Sequence, residues 1–173
     1  MFEGWDNFYF LIGSASAGLI GLLFVVATLT AGFDGARASR GVTLYMTPTA
    51  LHFGIVLASS AVALAPKLAH ALAAGLIALF AVGGFIRSLR ACFGIASPTP
   101  EGEPPHWSDI WMYGAVPSAL YFALAAASIA LAEGLSWAVH ALAASLLALL
   151  IVAIRNAWDL VTWIAPRAKA LSK

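Results

Sequence analysis

Five times in 173 residues the chain runs for about the length of a membrane crossing without a single Asp, Glu, Lys or Arg: Phe8–Ala31, Val42–Ala65, Leu68–Ile86, Ile110–Ala132 and Leu135–Ile154. A helix rises 1.5 Å per residue, so about 20 apolar residues cross the roughly 30 Å hydrocarbon core of a bilayer. Inside that core every backbone N–H and C=O must be satisfied within the protein, which leaves only helices and closed barrels, and runs this long are helical. Charged residues make up 10% of the chain, against about a quarter in an ordinary soluble domain. In water such a chain would expose apolar patches far beyond the few hundred Å² that soluble monomers carry, so the lipid bilayer is the expected partner. A net charge of +1 excludes the broad basic face of a nucleic-acid binder.

The expected architecture is all-α: one polytopic membrane bundle over residues 1–173 with five spans, a cytoplasmic loop at 87–109 and an interfacial cytoplasmic tail at 155–173. The first run is read as a retained span, because its leader MFEGWDNF carries Glu3 and Asp6 and lacks the basic residues of a signal peptide. Pro66-Lys67 and Glu133-Gly134 read as tight hairpin turns, and FDGARASRG and SPTPEGEPPHWS as longer polar connections. Basic residues resist translocation. An external N-terminus puts Arg37, Arg40, Arg87, Arg90, Arg155, Arg167, Lys169 and Lys173 in the cytoplasm and only Lys67 outside. Trp5, Tyr9 and Trp137 then fall at the outer surface, and Tyr45, Trp107, Trp111 and Trp158 at the inner one, as aromatic belts require. The reading is a multi-pass protein of a bacterial-type inner membrane, with Arg87 and Arg90 as cytoplasmic anchors. In the tail, an Arg155–Asp159 pair at i,i+4 and a stop at Pro166 are expected. Cys92, the one cysteine, allows no internal disulfide.

An internal duplication is visible. PTALHFGIVLASSAVA, from Pro48, aligns with PSALYFALAAASIALA, from Pro117, with eight identities in sixteen positions. One inserted residue later, HALAAGLIALFAV from His70 matches HALAASLLALLIV from His140 with nine in thirteen. Spans 2–3 and 4–5 therefore read as parallel repeats, related by a pseudo-two-fold axis along the membrane normal. Span 1 stands outside the repeat and carries a strip of small residues, Gly13, Ala17 and Gly21, flanked by Ser14 and Gly18, of the kind that lets helix backbones approach closely. Its sequence WDNFYFLIGSASAGLIGLLFVV resembles the opening of a group of small bacterial integral membrane proteins that begin with Trp, an aromatic pair, a Gly/Ala-rich stretch and Gly-Leu-Leu-Phe-Val. The resemblance covers about one eighth of the chain and implies no activity and no catalytic residues.

His52 lies near the middle of a span, where ionisable residues are costly, face protein or water, and mark pathways. It follows Pro48 by one turn, as Tyr121 follows Pro117. Each proline lacks an N–H and is expected to kink its helix, Pro48 by leaving the Leu44 carbonyl unpaired. The repeat then predicts a polar cavity of His52, Tyr121, Thr49 and Ser118; the simpler alternative is His52 as a hydrogen-bonding tie between helices. His70 and His140 occupy matching helix starts and are candidate haem ligands, although interfacial histidines commonly meet only headgroups and water. Neither a metal-binding or phosphate-binding motif nor a hydrolase motif is present, so no cofactor and no enzymatic activity are expected. Two functional classes remain: a small homo-oligomeric channel or carrier for an ion or small solute, and a non-catalytic accessory or scaffold subunit that docks a membrane-protein partner. A membrane haem protein is a further alternative.

Overall fold

The computed structural model describes residues 2, 4–30, 42–97 and 106–171, and no strand occurs among them. Helix α1 is Asp6–Thr30. A π-helical turn at Val42–Met46 runs directly into α2, Thr47–Leu64. Helix α3 is His70–Ala96. The short α4, Trp107–Ile110, enters a second π-helical turn at Trp111–Ala115, which continues as α5, Val116–Ala132. Helix α6 is Ala138–Leu171. Five of the resulting helical stretches are long and apolar enough to cross a membrane.

The two expected hairpin turns form. After α5, Gly134 adopts φ +76°, its N–H reaches the Leu131 carbonyl at 3.1 Å, and the Leu135 N–H reaches the Ala130 carbonyl at 3.0 Å. That is the glycine-ended helix stop in which the last carbonyls are satisfied by the chain reversing over them. In the other hairpin Lys67 holds φ +58°, a left-handed conformation unusual for a side chain of its size, directly after Pro66.

Two boundaries differ from expectation. Helix α3 continues to Ala96 rather than ending near Ile86. Helix α6 runs unbroken past Ile154 and through Pro166 to Leu171, so no separate tail begins at 155 and the proline does not end the helix. Both polar connections lie largely outside the described residues, as do the side chains beyond Thr162, and with them Arg37, Arg40, Arg167, Lys169 and Lys173.

Four helices form a ring in which α2 packs on α3, α3 on α5, α5 on α6, and α6 on α2. Helix α1 lies outside it against α2 and α6. The centre holds Phe53, Val56, Ile77, Leu124, Leu142, Leu146 and Leu149, all essentially inaccessible. Ser16, Thr49, His52, Ser59, Ser60, Ser88, Ser128 and Asn156 are buried among them, while Phe10, Phe24, Phe122 and Ile129 point outward with more than 60% of their surface exposed. Polar groups within and large apolar groups without is the arrangement that a lipid solvent stabilises. Since α5 and α6 join by a tight turn, the exposed Trp111 and Trp158 fall at one end of the bundle and the exposed Trp137 at the other.

Candidate functional site

The site begins at the prolines. A π-turn shifts the hydrogen-bond register from i→i−4 to i→i−5, and such turns recur at functional positions. In the second turn the Val116 N–H bonds to the Trp111 carbonyl in this register. The next donor along would be residue 117, but it is proline, so the Met112 carbonyl loses its backbone partner. The carboxamide of Asn156 takes its place, donating from Nδ2 to the Met112 oxygen at 2.9 Å. In the first turn the same register sets Pro48, which has no N–H to donate, against the carbonyl of Thr43, not of Leu44 as a simple proline kink predicts. Arg87 Nη2 donates to that oxygen at 3.2 Å. Donor and acceptor are 44 residues apart in both cases. The hydroxyls one residue past each proline also match, Thr49 bonding back to the Tyr45 carbonyl at 2.7 Å and Ser118 to the Gly114 carbonyl at 2.8 Å.

One turn beyond the prolines, His52 and Tyr121 meet. Their helices α2 and α5 stand at opposite corners of the ring, and the side chains bridge its centre with His52 Nδ1 and the Tyr121 hydroxyl 2.7 Å apart. Both residues are wholly buried, and the second ring nitrogen of His52, Nε2, has no hydrogen-bond partner among the described residues. Gly84 of α3 makes room for this pair. A Cβ at that position would overlap the Tyr121 ring, so the ring lies directly on the helix backbone. Gly114 plays the same part further along, where an added Cβ would come within 2.5 Å of the Cβ of Cys92.

Of the four residues expected to share a polar cavity, His52 and Tyr121 are therefore brought together. Thr49 and Ser118 are buried nearby in sequence, but their hydroxyls are turned back onto their own helices. His70 is exposed at the start of α3, and His140 is exposed with its ring edge-on to Trp5, centroids 5.2 Å apart. No group of three or more His, Cys, Asp or Glu among the described residues is arranged to hold a metal ion. On α1, Gly13 packs against Ser60 of α2, where an added Cβ would sit 3.0 Å from the serine Cβ. Ser14 and Ala17 border a groove of about 230 Å³ between α1 and α2, while Gly18 and Gly21 are exposed with open space around them.

Sequence reasoning passed over Asn156, Gly84 and Tyr113. The Tyr113 hydroxyl is shared between the Asn156 carbonyl at 3.0 Å and Asp159 Oδ2 at 3.2 Å, while Arg155 donates to Asn156 Oδ1 at 3.2 Å. Asp159 and Arg155 are thus engaged with these neighbours across and along the helix. A signal for Asn156 did exist: it is one of two carboxamides in the chain, the other being Asn7 at the extreme N-terminus.

These features define a helical membrane bundle with a histidine–tyrosine bridge at its centre. The chain matches no protein-family model, no curated protein and no solved structure.

Proposed function

We propose that the protein is a small, non-enzymatic permeation module of the inner membrane, a channel or carrier for an ion or small solute, and that the His52–Tyr121 bridge is its closed gate. The observation that carries this reading is the 2.7 Å hydrogen bond across the ring centre between two helices that each begin with a π-turn and a proline. Irregular turns of this kind recur at functional positions, and a bridge between two of them is a natural point of closure. The unpartnered Nε2 adds a site for a proton or a polar solute on the same ring. The matched turns, each a π-turn running into a proline, support the duplication of two hairpins about a pseudo-axis. The charge partition along the sequence supports an external N-terminus.

The test is flux through purified protein in liposomes. His52→Gln keeps a polar group but cannot titrate, so any pH dependence of wild-type flux should vanish in it. Tyr121→Phe removes only the hydroxyl and should raise basal flux by loosening the bridge. A wild type that conducts nothing across a panel of ions and small solutes sinks the reading.

In that event a second reading takes over, carried by the exposed face of α1. Gly18 and Gly21 have nothing within Cβ reach among the described residues, so a second copy or another membrane helix can approach the backbone there. The protein would then serve as an accessory subunit, inert until its partner is present.

A further inference from the structure

A groove of about 470 Å³ runs between α2 and α3, within the roughly 300–1,000 Å³ range of small-ligand sites. Leu51 and Ile55 of α2 and Leu79 and Gly83 of α3 line its apolar length, and Arg87 and Arg90 close one end. We propose that this groove seats one anionic phospholipid, with an acyl chain along the apolar wall and the phosphate between the two arginines. The seat is independent of whether the protein conducts.

Three observations carry the assignment. First, the wall is recessed at Gly83, where no atom of another helix among the described residues lies within 4 Å of an added Cβ, whereas the adjacent Gly84 is turned inward onto Tyr121. The groove therefore faces the surrounding lipid and not the bundle centre. Second, the charge is one-sided. Neither α2 nor α3 contains Asp or Glu, so the two α3 arginines meet no acid on either wall to neutralise them. Third, the cations are arranged. Arg87 and Arg90 share a helix face at i,i+3, and the bond from Arg87 Nη2 to the Thr43 carbonyl holds that guanidinium at the groove while leaving most of its five N–H donors unused among the described residues. A guanidinium fork matches phosphate oxygens in geometry as well as charge. A zwitterionic lipid brings an ammonium that these arginines repel, which selects the anionic headgroup.

The experiment is native mass spectrometry of the full-length protein released from nanodiscs of equimolar phosphatidylglycerol and phosphatidylethanolamine. Wild type should retain phosphatidylglycerol in preference. Arg90→Gln should lower that retention about five-fold, the size of one arginine's attraction to an anionic leaflet. Gly83→Leu fills the groove without touching Tyr121 and should lower it at least as much. Equal retention of both lipids by wild type overturns the proposal. So does full retention of phosphatidylglycerol by Gly83→Leu, because the arginines would then be binding headgroups without any groove. Should Gly83→Leu fail to fold, Arg90→Gln decides alone, and unchanged lipid selectivity in it counts against the seat.

Discussion

The two proline turns use one sequence device and solve its consequence in different ways. Each places a π-turn before a proline, and each leaves a carbonyl without its backbone donor. In the second turn the orphan is met by Asn156, a fully buried neutral carboxamide that is itself tied into a network with Tyr113 and Arg155. In the first it is met by Arg87, a charged group at one end of a groove, and Thr43 is exposed. Where lipid headgroups or water can reach, a long charged side chain suffices. Where they cannot, the donor must be compact and fully satisfied, because an unpaired carbonyl in a dry interior costs several times what an exposed one does.

The ring's two cross-hairpin contacts differ in the same way, and there the largest effect is expected. The α3–α5 crossing is close because Gly84 admits Tyr121, whereas α2 and α6 share their crossing with α1. Gly84→Ala would drive a methyl group into a ring that has no room to retreat, and should cost about 2–3 kcal/mol, the upper part of the range for overpacking. Gly83→Ala, one residue away with open space around it, should be neutral or gain up to about 1 kcal/mol from helix propensity. Thermal melting of the two variants in one detergent checks the contrast. Similar melting points would mean that the close crossing does not hold the bundle together.

Asn156→Leu comes next. It preserves approximate volume but strips the Met112 carbonyl of its donor, for an expected loss of about 1–2 kcal/mol. Pro117→Ala sharpens the reading. The restored backbone N–H lets the turn satisfy that carbonyl by itself, in the π register or by reverting to a regular helix, so in the Asn156→Leu background it should recover about 1 kcal/mol. A double-mutant cycle with no coupling between residues 117 and 156 would separate the carboxamide from the proline turn.

Much of this was legible beforehand, and the gaps have physical causes. Spans are readable because hydrocarbon enforces length and apolarity over every residue of a crossing, and the tight turns because Pro66 and Gly134 have few alternatives. The meeting of His52 with Tyr121 was expected from the alignment of the two proline segments, and the two side chains do meet. The π-turns were not readable, because a one-residue register shift leaves hydropathy unchanged and the proline alone suggests an ordinary kink. Asn156 was hidden by the assumption that a basic residue at 155 ends the span, when the helix continues past it. The outward-facing part of the α1 strip shows a limit of another kind: small residues at spacing four announce a surface that can be approached, and Gly13 and Gly21 carry the same pattern with different neighbours.

The smallest effect is expected at Arg87, and its size decides whether the comparison between the turns is about solvent. Arg87→Leu removes the donor to the Thr43 carbonyl just as Asn156→Leu removes the donor to Met112. If burial sets the penalty, the exposed carbonyl will find water or a headgroup, and the loss should stay within about 0.5 kcal/mol, as for an ordinary surface substitution. Because Arg87 also borders the proposed lipid seat, the measurement belongs in a neutral, phosphate-free detergent, where a bound anionic lipid cannot contribute. A loss there as large as that of Asn156→Leu would show that the first turn depends on its donor as strictly as the second. The arginine would then be a structural member of the hairpin, and the contrast between a dry and a wet solution to the same missing backbone donor would not hold.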